Sequence, residues 1–220
     1  MCTAITYRTK WAESFNPEQT APATFHSPTG DITCDFMNQS MHRNLYWGDN
    51  FSAIKQYETN GSSMVFILPD EDIDASDLLT DPEAFDFMLS DLSGKTWENA
   101  GSYQVNFSIP KFDVSSSLSL IDGLQQLGIE DVFDTARSDF SPMTEHAEGV
   151  CVSQINHSAR VTIDEEGYEA AAFTLTTADA TAAFEEDEPV DFVLDRPFLF
   201  ISLIPDGLPM FIGIVNQPVE

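Results

Sequence analysis

Residues 164–195 are the stretch of this chain that a packed core cannot absorb. They read DEEGYEAAAFTLTTADATAAFEEDEPVDFVLD. A strand-like pattern, residues 150–163, precedes them, and a continuous apolar run, residues 197–204, follows. The intervening tract of about 25 residues of Ala, Thr, Glu and Asp exceeds an ordinary connection. Three local readings compete. Alanine with glutamate favours a helix. Sparse apolar anchors and many acids fit an unfolded linker. At period two the same residues make a latent strand. Tyr168, Ala170, Ala172, Thr174, Thr176 and Ala178 then share one face, and Glu169, Ala171, Phe173, Leu175 and Thr177 the other. Small side chains would let such a strand enter a gap in an existing sheet, and Gly167 supplies a hinge. Local propensity does not choose among the three.

The remainder has enough apolar material for a core. Of 220 residues, 42% are hydrophobic and 17 are Phe, which suits one domain or part of a larger one. Nine Lys and Arg stand against 37 Asp and Glu, for a net charge of −28. Binding to a phosphate backbone or an anionic membrane needs clustered cations, so nucleic acid and membrane are excluded as expected partners. The charge reads as a solvated, self-repelling surface. No apolar run approaches the about 18 residues of a membrane-crossing helix. Residues 1–10, MCTAITYRTK, lack the basic segment and apolar stretch of a signal peptide. They read as a strand entered without a lead-in, as if the chain began inside a domain.

Chemistry-bearing clusters are scarce. Cys2, Cys34 and Cys151 are odd in number and widely spaced, so free, buried thiols are expected. Residues 70–77, DEDIDASD, place Asp70, Asp72 and Asp74 like the first ligands of a calcium loop. The required glycine is Ala75 and the closing glutamate is Asp81, so no metal is expected; an acidic helix start fits better. Cys151 and His157, six residues apart on a predicted strand, are ordinary neighbours on one face rather than a nucleophile and base. No cofactor and no enzymatic activity are expected. Asn38, Asn50, Asn60, Asn106 and Asn156 each begin an Asn-x-Ser triplet, usable for glycosylation only in a eukaryotic secretory route.

The pattern of elements is strand-rich, α+β. Residues 25–37 alternate around Pro28, Thr29 and Gly30 as a hairpin. Residues 45–47, 51–57 and 63–68 are three short strand-like runs, with Asn60-Gly61 a strong turn signal. Residues 102–112 and 150–163 alternate as strands, and residues 197–204 and 210–215 suit buried strands. Helices are expected over residues 84–92 and 118–127, the second stopped by Gly128.

A series of short motifs runs in order along the chain. They are Lys10-Trp11 with Phe15, MVFILP at residues 64–69, Ile109-Pro110-Lys111-Phe112, Leu127-Gly128-Ile129 and Asp139-Phe140-Ser141. Asn156-His157, Glu165-Glu166-Gly167 with the alanine run, Arg196-Pro197-Phe198-Leu199-Phe200 and Phe211-Ile212-Gly213 follow. Each is weak alone, but their joint order resembles the C-terminal half of the serpin family, inhibitors of serine proteases. The resemblance implies a mostly antiparallel serpin fold over residues 1–220, with the N-terminal helical half absent and a reactive-centre loop at about 166–190.

It further implies a bait mechanism. A serine protease would cut the loop, and the segment from Tyr168 onward would insert into a large sheet. Glu165, Glu166, Gly167, Tyr168, Glu169, Ala170, Ala171 and Ala172 match the family's hinge. Thr3, Trp11, Lys111 and His157 match the positions where the sheet parts, with Lys111 pairing Glu165 and His157 hydrogen-bonding beneath the strands. Counting from the hinge puts the bait bond at Thr181-Ala182, with a cut after Phe184 as the alternative. Small residues there suit an elastase-like or subtilisin-like protease, and no Arg or Lys lies between Arg160 and Arg196 to suit a trypsin-like one. Two positions depart from the family: Tyr168 stands where a small hydroxyl residue is usual, and Thr3 where an asparagine is. An extracellular location follows from the resemblance. So do two alternatives, a non-inhibitory serpin-fold protein and a non-functional fragment. The 220 residues alone are expected not to trap a protease stably, for want of the sheet strands and of a partner supplying them.

Overall fold

Two hairpins seed the main sheet. Their turns fall at glycines with positive φ, Gly30 at 125° and Gly61 at 86°, where the left-handed backbone disfavours any side chain. The computed structural model describes residues 7–146, 148–168 and 188–218. Chain order runs β1 (Thr9–Lys10), β2 (Ala21–Ser27), β3 (Gly30–Trp47), β4 (Phe51–Tyr57) and β5 (Ser63–Pro69). Two short helices follow, α1 (Pro82–Met88) and α2 (Ser90–Ser93), then β6 (Ala100–Pro110), β7 (Phe112–Ser119) and α3 (Ile121–Gln126). The chain closes with β8 (Asn156–Ile163), β9 (Gly167–Tyr168), β10 (Val190–Val193), β11 (Phe198–Leu203) and β12 (Pro209–Val215).

Eight strands form one sheet in the order β10-β6-β3-β4-β5-β11-β12, with β2 also paired to β3. The apolar runs in β5 and β11 have a plain physical cause. These two strands lie side by side within the sheet, and both their faces are covered. Met64, Phe66, Leu68, Phe198 and Phe200 feed one core; it also holds Trp11, Phe15, Phe107 and Phe112. The alternate residues Val65, Ile67, Leu199, Ile201 and Leu203 feed a second core on the other face, under Ala84, Phe87 and Met88 of α1. Asp81 caps α1 by accepting from the backbone N–H groups of Glu83 and Ala84, with Pro82 at the first turn.

Several boundaries differ from the sequence reading. Residues 45–47 are not a separate strand but the end of the 18-residue β3. The expected strand over 102–112 breaks at Lys111, after Pro110, and resumes as β7. The expected strand over 150–163 begins only at Asn156, because the preceding backbone bonds elsewhere: Val152 N–H to the carbonyl of Val132, and Leu120 N–H to that of Ile155. Cys151 is therefore not on the strand that carries His157. Helix α1 starts earlier than residue 84, at its proline, and α3 covers only the middle of 118–127 because β7 runs on to Ser119. β12 lies at the sheet edge and is largely half-exposed, with Ile212 55% exposed, rather than buried. Cys34 is buried and Cys151 half-buried, and both are free; Cys2 lies outside the described residues.

The chain divides into two compact units. The first joins Met1–Val114 to Val161–Glu220 and holds both cores. The second is Ser115–Arg160, in which no described residue is buried. It is organised by polar bonds. Arg137 pairs with Glu130, Asp131 and Asp134, and the Ser138 hydroxyl donates to the Val150 carbonyl at 2.6 Å.

Candidate functional site

The chain reverses direction where β8 ends. Asp164 and Gly167 face each other across Glu165 and Glu166, with the Asp164 N–H donating to the Gly167 carbonyl at 3.1 Å. The Asp164 side chain holds the turn by accepting from the N–H groups of Glu166 at 2.9 Å and Gly167 at 3.1 Å. β9 then runs antiparallel to β1, pairing Lys10 with Gly167 and Thr9 with Tyr168. Gly167 is at φ +130°, and a Cβ there would lie 2.7 Å from Lys10 Cα and 2.8 Å from Thr9 O and Trp11 N. Both the conformation and the close approach of two backbones require glycine.

Trp11 sits at the base of this corner. It is 2% exposed and packs edge-on to Phe66 at 6.5 Å. Its indole N–H donates to the Asp164 carbonyl at 2.9 Å, and its backbone N–H to Glu166 O at 3.1 Å. One residue thus ties the turn to the core by both side chain and backbone. The neighbouring Phe15 N–H donates to the Glu165 carbonyl at 2.9 Å.

Glu165 is gripped from two sides. Lys111 Nζ lies 2.9 Å from Oε2, and the Thr20 hydroxyl donates to Oε1 at 2.7 Å. Burial pushes this carboxyl up, but the bonds from Lys111 and Thr20 outweigh it and hold it below its ordinary value. Lys111 is placed by the break between β6 and β7, where its own N–H donates to Asp35 O at 2.8 Å. β1 is held on its other edge too: Thr59 N–H donates to Lys10 O at 2.9 Å, and Ala12 N–H to Tyr57 O at 2.8 Å.

Trp11, Lys111, Glu165, Glu166 and Gly167 therefore meet at one corner, with Tyr168 on β9. His157 lies exposed on β8 within the second unit, and its expected partner Thr3 is outside the described residues. Glu169, Ala170, Ala171, Ala172, Thr181, Ala182 and Phe184 are also outside them. Sequence reasoning missed Thr20, whose only signal was a hydroxyl residue ahead of a strand. It also missed Glu58 in the hairpin that supports β1, a polar residue beside an Asn-Gly turn. Among the described residues no group of His, Cys, Asp and Glu is arranged to hold a metal.

These features belong to an α+β protein in which one strand ends, the chain turns at a glycine and starts back along a second strand. The family profile described as Serpin (serine protease inhibitor) matches residues 1–218. Iris, from Ixodes ricinus, is 33% identical, with 97% of this chain and 56% of that protein aligned. The human leukocyte elastase inhibitor is 32% identical over 98% of this chain and 57% of its own length. The native-state crystal structure of the thermophilic serpin tengpin superposes with a TM-score of 0.75 at 28% identity, covering 94% of this chain and 52% of that one. The chain belongs to the serpin family, and it spans about half the length of the curated relatives it matches.

Proposed function

We propose that this chain carries the bait loop and hinge of a serine-protease inhibitor rather than an enzyme's active site. The observation that carries the reading is β9. The tract that local propensity left open among helix, linker and strand begins, at Gly167 and Tyr168, as a strand antiparallel to β1. Extending that pairing would add backbone hydrogen bonds and apolar contacts to the sheet, the source of free energy for loop insertion. Glu165, clasped by Lys111 and Thr20, anchors the point from which the strand grows. Glu166, Glu169, Ala170, Ala171 and Ala172 continue the hinge, and Thr3 acts where the sheet parts.

The bait bond is Thr181-Ala182, with a cut after Phe184 as the alternative. The target is an elastase-like or subtilisin-like protease, a choice supported by the small residues at that bond and by the likeness to a leukocyte elastase inhibitor. An extracellular setting belongs to the same reading. The test is incubation of the folded chain with elastase, subtilisin and trypsin, with cleavage mapped by mass spectrometry. Elastase or subtilisin should cut first between residues 181 and 182. A first cut outside residues 166–190 would overturn the bait assignment. An SDS-resistant adduct would show that 220 residues suffice to trap the protease; cleavage without one is the expected result.

Tyr168 favours a second reading, a non-inhibitory serpin-fold protein, because a bulky side chain at the first inserting position opposes entry by about 1–3 kcal/mol. Melting before and after loop nicking separates the two. Insertion raises Tm strongly, and a non-inserting loop leaves it nearly unchanged. A non-functional fragment would give neither a defined cut nor a cooperative melt.

A further inference from the structure

The corner contains an acid that the bait mechanism does not use. Glu58, in the hairpin supporting β1, is 3% exposed. Its backbone N–H donates to Ser62 O, and it forms a bridge with Trp11. Oε2 accepts from the Tyr7 hydroxyl at 2.9 Å. That phenol oxygen also lies 2.8 Å from Ser62 Oγ and accepts from Asn60 Nδ2 at 2.8 Å. Two buried oxygens at this spot, Glu58 Oε1 and Thr9 Oγ1, have no well-aligned hydrogen-bond partner among the described residues. Thr9 is the β1 residue in register with Tyr168.

Among the described residues no cation compensates the carboxyl. Tyr7, Thr9 and Trp11 alternate inward along the chain, which puts exposed Arg8 and half-exposed Lys10 on the opposite face. From the hairpin, Asn60 and Ser62 contribute only neutral groups, and Lys55 is turned to the ring of Tyr46 at 5.3 Å. An ionised carboxylate at a buried site with neutral hydroxyl neighbours is costly, and a neutral acid is not.

We infer that Glu58 is a proton-operated latch on β1, seating the strand that must receive the loop when neutral and loosening it when ionised. The inference rests on the reading of β1 as the receiving strand. Protonation removes the charge from a site that is 3% exposed, while Tyr7 keeps its bond to Oε2. Burial raises the Glu58 pKa, and the Tyr7 and Thr9 hydroxyls oppose the rise without cancelling it. The sign follows. Stability from this group is present in full below the ordinary carboxylate range and is lost as pH rises through the raised value. The latch therefore tightens on acidification.

The test is hydrogen–deuterium exchange of the full chain, corrected for intrinsic exchange, over pH 5 to 8 at segments 7–12 and 57–62. Protection should fall with rising pH, by at most about tenfold per unit of pKa shift. Glu58→Gln should be pH-independent and as protected as the parent at acid pH. Tyr7→Phe, which removes a donor to the charged form, should move the transition to higher pH. A flat profile in the parent, or a Glu58→Gln profile that follows the parent, overturns the latch. A pH-dependent profile in a chain that never inserts its loop overturns the inhibitor reading and leaves the latch standing.

Discussion

The two edges of β1 carry acids with opposite electrostatics. On the edge facing β9, Glu165 is paired with Lys111 and Thr20 and its pKa is depressed. In the hairpin on the other edge, Glu58 is buried beside the Tyr7 and Thr9 hydroxyls and its pKa is raised. The same side-chain type thus anchors one edge by being charged and the other by being neutral. The β9 edge should be firm at neutral pH and weaken in acid, and the hairpin edge should do the reverse. What decides is whether a cation reaches the carboxyl before burial does.

The comparison is broken most completely by removing the residue common to both edges. Trp11→Ala strips a 2%-exposed indole from the core along with its bond to Asp164, and should destabilise by about 3–5 kcal/mol in denaturant titration. Gly167→Ala attacks the β9 edge alone. A side chain at φ +130° and 2.7 Å from Lys10 Cα should cost about 1–3 kcal/mol and abolish exchange protection at residues 167–168 while sparing the hairpin.

Lys111→Met sharpens the contrast by making Glu165 resemble Glu58. The pair is partly exposed, so stability should fall by about 0–1 kcal/mol at neutral pH. The more telling readout is pH. In the parent, the stability from Glu165 is present above the ordinary carboxylate range and lost as pH falls through the depressed value; in the variant that acid limb should flatten. The smallest effect belongs to a control in the second unit. Leu127→Ser, at a site 80% exposed, should shift Tm by less than the equivalent of about 0.5 kcal/mol.

Much of the sheet was legible because its causes are local. Asn60-Gly61 and Pro28-Thr29-Gly30 name their turns, and the uninterrupted apolar runs at residues 63–68 and 197–204 announce strands covered on both faces. The second unit was less legible. With no buried residue among those described, its 150–155 stretch shows strand-like alternation but bonds to turns instead. The family resemblance named Trp11, Lys111 and Glu165, yet Thr20 and Glu58 carry no one-dimensional mark. A threonine 145 residues from its glutamate and a tyrosine 51 residues from its own are linked only by folding.

From the residues alone came the strand-rich class, the scarcity of cations, the glycine at position 167 and an alanine-threonine tract that local propensity could not assign. Their common ground is that composition, periodicity and turn chemistry act within a few residues. Tertiary structure alone decided that Gly167 and Tyr168 form a strand, because their partner is β1, more than 150 residues earlier. It also decided which glutamate keeps its charge, since ionisation depends on the neighbours that folding brings within a few ångströms rather than on the residue itself.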